Sequence, residues 1–175
     1  MRKSLLLILT AMLAVAVTAS IALAAVNVKR FPTASFSGDT VTLTGGNFSG
    51  LGSVPAIAEF QATAGVATFT CFNPQGHPSP GQNPVPAQPG PVGTQDLGNA
   101  DHNGRGTISN LSAHVNAPPT PSAQEVGCGG QGSTQWTVVL NTLTATAAHL
   151  EIKQNGVVVF CRNYMIDGPA IGTAC

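Results

Sequence analysis

The chain has 175 residues, of which only 8% are charged, and its seven basic and seven acidic side chains give a formal net charge of zero at pH 7. This balance supplies no basic surface for a phosphate backbone and argues against nucleic-acid binding. Solubility must come instead from Thr, Ser, Asn and Gln, a surface composition that suits an extracellular β protein better than a helical cytosolic one.

The first two dozen residues have the pattern of a secretory signal peptide. Arg2 and Lys3 form a short positive region, an apolar stretch follows over residues 5–17, and Ala22-Leu23-Ala24 is an A-x-A cleavage site. A membrane anchor is the alternative, because the whole apolar run is long enough to span a bilayer. The small residues at its end and the lack of a positive stop-transfer cluster favour cleavage.

Cleavage would leave about 150 residues, the size of one domain that can bury its own core. Without Arg2 and Lys3, five basic residues face seven acidic ones, a slightly negative balance. We therefore expect a signal peptide over residues 1–24 and a single β-sandwich domain over residues 25–175. The product is expected to be secreted to the extracellular space, with no membrane partner after cleavage.

Four cysteines, Cys71, Cys128, Cys161 and Cys175, lie in the exported part of the chain. In an oxidising compartment this number indicates two disulfides, and three connectivities are open. We favour Cys71–Cys128, which would close a long loop, and Cys161–Cys175, which would tie down the last residue. A zinc site is the alternative, but no cysteine pair has C-x-x-C spacing and no histidine cluster accompanies them.

Period-two alternation with Thr and Val dominates the mature chain, and helical periodicity is nearly absent. Residues Thr40–Thr44 alternate polar and apolar side chains before a predicted turn at Gly45-Gly46. Between residues 55 and 71 the inward-facing parity changes near Gly65. This change predicts either one strand bent by a β-bulge or two strands joined at that glycine.

The second half of the chain predicts further strands. One follows the Asn103-Gly104 turn, another covers Thr134–Leu143, and Asn155-Gly156 predicts a two-residue hairpin. About seven strands without helices predict an all-β, immunoglobulin-like two-sheet sandwich. The Cys–Trp–Cys spacing of immunoglobulin domains is not met, so this likeness concerns architecture only. The predicted inward-facing residues are Leu111, Ala113, Val115, Trp136, Val138 and Leu140, with the sole tryptophan as a core residue.

The stretch from Phe72 to Arg105 is rich in glycine and proline. Because proline has no backbone donor, we predict that no ladder of strand hydrogen bonds forms here. Two interpretations stay open: a rigid, solvated excursion pinned at Cys71, or a binding loop. The prolines are Pro74, Pro78, Pro80, Pro84, Pro86, Pro89 and Pro91.

Two strings in this stretch, Cys71-Phe72-Asn73-Pro74-Gln75-Gly76-His77 and Pro80-Gly81-Gln82-Asn83-Pro84, resemble an uncharacterised family of small secreted β-rich proteins of filamentous actinobacteria and some fungi. The family pattern is a cysteine, Asn-Pro-Gly-Gly-Asn, and then Pro-Gly-Gln-Asn-Pro. This chain departs from it at Gln75 and His77, and it adds Cys161 and Cys175. The resemblance, which covers most of residues 36–160, implies a fold class, a secreted location and the pairing of Cys71 with Cys128. It implies no activity.

Motifs for catalysis or metal binding are weak in this sequence. It has no G-x-S-x-G or H-E-x-x-H motif, and the acidic residues Glu59, Glu151, Asp101 and Asp167 are scattered, with the two glutamates at outward strand positions. Asp101 with His77 and His102 offers a divalent-ion site, and residues 99–104 match the first half of a calcium loop without its bidentate Glu. Solvated loop side chains and a tight turn explain the same residues.

The sequence therefore predicts a secreted, non-catalytic β-sandwich that serves as an extracellular structural or binding module for an unknown partner. We expect no enzyme activity, no cofactor and no metal. The alternative is a polysaccharide- or cell-wall-binding domain, and a small hydrolase is less favoured. The loop residues predicted to contact a glycan are Asn73, Gln75, His77, Gln82 and Asn83.

Overall fold

The structure is a computed structural model that describes residues 26–51, 54–98, 104–129 and 135–175. The predicted signal peptide lies outside these residues, as do Asn99, Asp101, His102 and Asn103 of the disfavoured calcium-loop and divalent-ion patterns. The described residues form strands, turns and loops and contain no α-helix, and none of their segments is a helix able to cross a membrane. The all-β class is confirmed.

Eleven strands follow one another along the described chain, against about seven predicted. Four of the eleven, β5, β6, β7 and β11, are edge segments of two to four residues. The strands are β1 (Asn27–Arg30), β2 (Thr33–Ser37), β3 (Thr40–Ser49), β4 (Ala56–Phe72), β5 (Pro78–Pro80), β6 (Val85–Pro86), β7 (Gly93–Asp96), β8 (Gly106–His114), β9 (Thr137–Gln154), β10 (Val157–Met165) and β11 (Thr173–Ala174).

The strands form two antiparallel sheets. In the first, sheet A, β3 is central: β8 pairs with one edge, while β1 and β2 pair in turn with the other. In the second, sheet B, the order is β11-β10-β9-β4, and β5, β6 and β7 pair one after another with the remaining edge of β4. The two sheets pack face to face around the main core, a sandwich-like arrangement.

The Pro-rich stretch corrects one prediction, because it does form a ladder. It runs back along β4 as three short antiparallel strands, and the backbone nitrogens of Gly81, Ala87 and Gly90 donate to β4 carbonyls. The reason is spacing: Pro78 and Pro80 are two residues apart, as are Pro84 and Pro86, so within each strand their nitrogens point away from β4. The residues next to the prolines supply the donors.

Local turn and bulge signals agree with the structure. β4 is one continuous strand whose register against β9 shifts between Ala62 and Gly65, so buried alternate positions continue on one face after the bulge. Asn155 and Gly156 both have positive φ, as a two-residue hairpin turn requires. Gly45-Gly46 is not a turn: both residues lie inside β3, where Gly45 adopts a φ of 76°.

The predicted inward-facing residues Leu111 and Ala113 in β8, and Val115 directly after it, are buried as predicted. Two predictions about β9 need correction. Leu140 is 41% exposed, because a register shift opposite Phe69 moves the inward position to Leu143. Trp136 is only half-buried and lies just before β9.

The core has two parts. The main part lies between the sheets and draws buried side chains from β3, β4, β8, β9 and β10, with Phe60 and Tyr164 in edge-to-face contact at 6.3 Å. Burial raises the pKa of the Tyr164 hydroxyl, which donates to the carbonyl of Pro32. The smaller part, the satellite core, lies where the second half of β4 meets residues 123–128 and the start of β9. Its buried residues are Ala67, Phe69, Cys71, Ala123, Val126 and Cys128, with Trp136, Val138, Val85 and Leu143 packed against them.

A substitution at Gly90 tests whether the Pro-rich stretch packs directly against β8 of sheet A. A Cβ at this residue would meet the carbonyl oxygen of His114 in β8 at 1.5 Å, so Gly90→Ala must push the stretch away from sheet A. We expect a loss of about 3 kcal/mol in unfolding free energy, measured by denaturant titration. Gly76→Ala is the control: its φ is 82° but its space is open, so it should cost only about 1–2 kcal/mol. Equal losses would contradict this packing.

Candidate functional site

The first predicted loop residues organise the turn between β4 and β5. Asn73 Oδ1 accepts hydrogen bonds from the backbone nitrogens of Gln75 and His77, at 3.0 and 2.8 Å. Its own backbone nitrogen donates to the carbonyl of His77 at 3.1 Å. The Asn73 side chain therefore holds the turn, as an Asx motif does, while Gln75 and His77 are exposed.

The Pro-Gly-Gln-Asn-Pro string has a structural role in the fold. The backbone nitrogens of Gln82 and Asn83 both donate to the carbonyl of Val126, at 2.8 and 3.1 Å, and Asn83 Nδ2 donates to the carbonyl of Glu125 at 3.1 Å. Gly81 donates to Phe69 in β4, and a Cβ there would lie 2.8 Å from the same Phe69 oxygen. The string clamps the segment around residue 126 to the end of β4.

The clamped segment, residues 120–128, is also fixed from within. Ser122 donates from its backbone nitrogen and its hydroxyl to the Glu125 carboxylate, at 2.7 and 2.8 Å, and the Glu125 nitrogen donates back to the hydroxyl. The backbone hydrogen bond from Ser122 holds the pKa of Glu125 below its usual range. At the end of the segment the disulfide Cys71–Cys128 is fully buried. The structure thus contains the first of the two favoured disulfides.

A groove runs between this segment and the start of β9. Its volume is about 230 Å³. The half-buried indole of Trp136 packs on the satellite core and also borders the groove, opposite exposed polar side chains of the segment. None of the residues that line it is charged: Thr120, Pro121, Ser122, Ala123, Gln124, Trp136 and Val138. We call it the Trp136 groove.

The outward face of sheet B carries a cluster of charged side chains that sequence reasoning treated as scattered. Glu59 in β4 and Glu151 in β9 lie directly opposite each other. Lys153 Nζ lies 2.7 Å from Glu59 Oε2 and 2.9 Å from Glu151 Oε2, so one ammonium bridges both carboxylates. The hydrogen bond from Lys153 lowers the pKa of Glu151, and that with Glu59 raises the pKa of Lys153.

His149 extends this cluster to β10 and the C-terminus. Its Nε2 lies 3.2 Å from Glu151 Oε1, and its Nδ1 lies 2.7 Å from Asn163 Oδ1 and 4.0 Å from Cys175 Sγ. Both ring nitrogens therefore have polar neighbours within the sheet. The second disulfide, Cys161–Cys175, is on this face, and Cys175 is exposed.

Sheet A presents a different outward face. Hydroxyl and amide side chains stand in rows across its strands: Thr33 beside Thr44, Thr42 beside Ser112, and Thr107, which donates to Asn47 Oδ1 at 3.0 Å. At one end of the rows lies a cleft of about 660 Å³. Its lining includes Lys29, Asn47, Phe48, Ser49, Arg105, Gly106 and Thr107.

The predicted loop residues take part in two local hydrogen-bond arrangements. Asn73, Gln75 and His77 share a turn, and Gln82 and Asn83 belong to the clamp on residues 125–126. Sequence reasoning missed the Trp136 groove and the Glu59–Lys153–Glu151 bridge. The outward positions of both glutamates were a usable signal for the bridge, but the pairing of β4 with β9 was needed to bring them together.

The two disulfides should differ in their resistance to reductant. Thiol attack needs access to sulfur, so Cys161–Cys175, with its exposed Cys175, should open before the buried Cys71–Cys128. We expect this order in a titration of the native protein with dithiothreitol, read by alkylation and peptide mass mapping. A Cys161→Ser/Cys175→Ser variant should remain folded and resist the same reductant. Simultaneous opening of both bonds would contradict the difference in burial.

The charge cluster on sheet B predicts an acid-dependent stability. Because the folded-state pKa of Glu151 lies below its ordinary 4.5, the bridge stabilises the fold above that pH and loses this contribution as pH falls through the folded pKa. The melting temperature of the wild type should therefore fall on acidification.

In a Lys153→Met variant, Glu59 and Glu151 face each other without the ammonium and repel at neutral pH. This variant should melt below the wild type near pH 7, and the gap should narrow towards pH 4 as the carboxylates protonate. A gap in melting temperature that stays constant across the titration would contradict a contribution from the charge of the bridge. Thr142→Ala, which removes a neutral partner of Thr68 on the same sheet, is the control.

In comparisons with known proteins, no family model, no curated protein and no solved structure matches this chain. The resemblance to small secreted proteins of actinobacteria and fungi stays a prediction. The positive findings about the site come from the chain itself: a clamped segment beside a half-buried tryptophan, a charge-paired face on sheet B, and a hydroxyl-rich face on sheet A.

Proposed function

We propose that the protein is a secreted, non-catalytic binding module that recognises an extracellular polysaccharide. One observation carries this proposal: residues 120–128 are held by a buried disulfide and by the Pro-Gly-Gln-Asn-Pro clamp, so they present an uncharged groove that is already formed. A preformed surface loses little conformational entropy on binding. Neutral hydroxyl and amide side chains are suited to sugar hydroxyls, with which they exchange hydrogen bonds.

A non-catalytic role is supported by how the titratable side chains of sheet B are used. Two carboxylates share one ammonium, and both nitrogens of His149 face neighbouring side chains. A general acid or base must reach a substrate proton, whereas these groups bind each other. The arrangement is that of cross-strand pairs that stabilise a sheet.

An extracellular location is supported by the two disulfides, which suggest an oxidising environment. We propose that secretion follows from cleavage after Ala24 or Ala25. We also propose that the sandwich is immunoglobulin-like in architecture. An experimental structure with sheets aligned at about −30° would support this, and sheets crossing near a right angle would contradict it.

The function is tested with protein recovered from culture medium, whose N-terminus we expect at Ala25 or Val26. Incubated with insoluble cellulose, chitin and cell-wall glycan, the protein should be retained on at least one of them and eluted by its soluble oligosaccharide. The same preparation should release no reducing sugar. Absence of retention on every polymer would overturn the binding role, and sustained release of sugar would overturn the non-catalytic one. A reduced and alkylated sample, which lacks the Cys71–Cys128 bond, is the control.

A further inference from the structure

We infer that the Trp136 groove binds one pyranose ring of a neutral polysaccharide, with the indole as the stacking surface; this rests on the proposed function and gives it a place in the fold. The ring is the chain's sole tryptophan, it is half-buried, and it borders a concave surface instead of lying inside the core. A tryptophan usually buries its face. Here the side chain keeps part of its surface at the groove.

The groove has the size and chemistry of a sugar subsite. Its volume of about 230 Å³ is below the roughly 300–1,000 Å³ typical of sites for drug-sized ligands, so it fits one ring. Ala123, Val138 and the indole give an apolar surface for the C–H groups of the ring. Thr120 and Gln124 on the opposite lip are exposed and offer a hydroxyl and an amide to its O–H groups.

Charge selects the ligand class. None of the lining residues is ionisable, and the nearby Glu125 carboxylate already accepts two hydrogen bonds from Ser122. A neutral sugar enters such a groove without burying an unpaired charge, which a uronic acid or a phosphate would do. The rigid lip adds selectivity, because Ser122, Glu125 and Cys128 fix its backbone before the ligand arrives.

The sole tryptophan is also the reporter for the test. The full-length mature protein is titrated with soluble cello-, chito- and xylo-oligosaccharides while tryptophan fluorescence is recorded, and the affinity is confirmed by calorimetry. We expect saturable fluorescence change with at least one neutral series. Gln124→Ala should weaken binding about 5–10-fold, the worth of one hydrogen bond. Trp136→Phe keeps an aromatic ring on the satellite core but removes the fluorescent reporter, so its affinity is read by calorimetry and should be weaker still. Its melting temperature shows whether the variant is folded.

Gln75→Ala is the matched control, because it also removes one exposed glutamine side chain, but from the β4–β5 turn instead of the groove. Wild-type affinity in this variant, with loss in Gln124→Ala, supports the groove. Loss of affinity in Gln75→Ala with wild-type affinity in Gln124→Ala would place the glycan at the β4–β5 turn and overturn the inference. Binding of acidic polysaccharide alone, with an affinity that Gln124→Ala leaves unchanged, would also overturn it. Retention on an insoluble glycan with unmoved fluorescence overturns the groove but leaves the proposed function. Absence of retention overturns both.

Discussion

The fold depends on β4 being hydrogen-bonded along both edges. Its seventeen residues pair with β9 on one side and with the three segments of the Pro-rich stretch on the other. An open edge of this length would be a template for aggregation, and prolines at alternate positions solve this problem twice. Residues next to the prolines donate inward to β4, while Pro78, Pro80, Pro84 and Pro86 themselves carry no backbone donor for the outer side of β5 and β6. The stretch both completes the sheet and ends it.

Local signals were sufficient wherever neighbouring residues decide the structure. The turn at Asn155-Gly156 needs only two adjacent residues with positive φ. The bulge of β4 is indicated by the change in parity of its apolar residues near Gly65. The number of prolines in the Pro-rich stretch does not decide whether it pairs with β4. What decides this is whether the prolines fall at positions whose nitrogens point away from β4. Gly45-Gly46 looked like a turn because glycine permits one, yet strand pairing with β8 continues through it.

The candidate site shows a second limit of sequence reasoning. Pro-Gly-Gln-Asn-Pro stood out as a specific string, and specificity suggested recognition. The backbone nitrogens of Gln82 and Asn83 and the side-chain amide of Asn83 instead donate to the carbonyls of Glu125 and Val126, more than forty residues later in the chain. Because every residue has a backbone carbonyl, the acceptors of this clamp could not be predicted from the sequence. Likewise, Trp136 was expected in the core because tryptophans usually are, and only the packing around Ala123 and Val138 shows that its ring also borders a groove.

Low charge ties these features together. Only 8% of the residues are charged, and on sheet B Lys153 neutralises two carboxylates. The rows on sheet A and the lining of the Trp136 groove consist of hydroxyl, amide and apolar side chains. Hydroxyls and amides bind water nearly as well as they bind a partner, so each contact contributes little net free energy. A surface of this kind gains affinity by holding its contacts in place beforehand and by adding apolar contact area. At residues 120–128 the disulfide and the clamp hold the polar contacts in place, and the indole beside them adds apolar contact area. For this reason we place the binding of a neutral ligand at the groove.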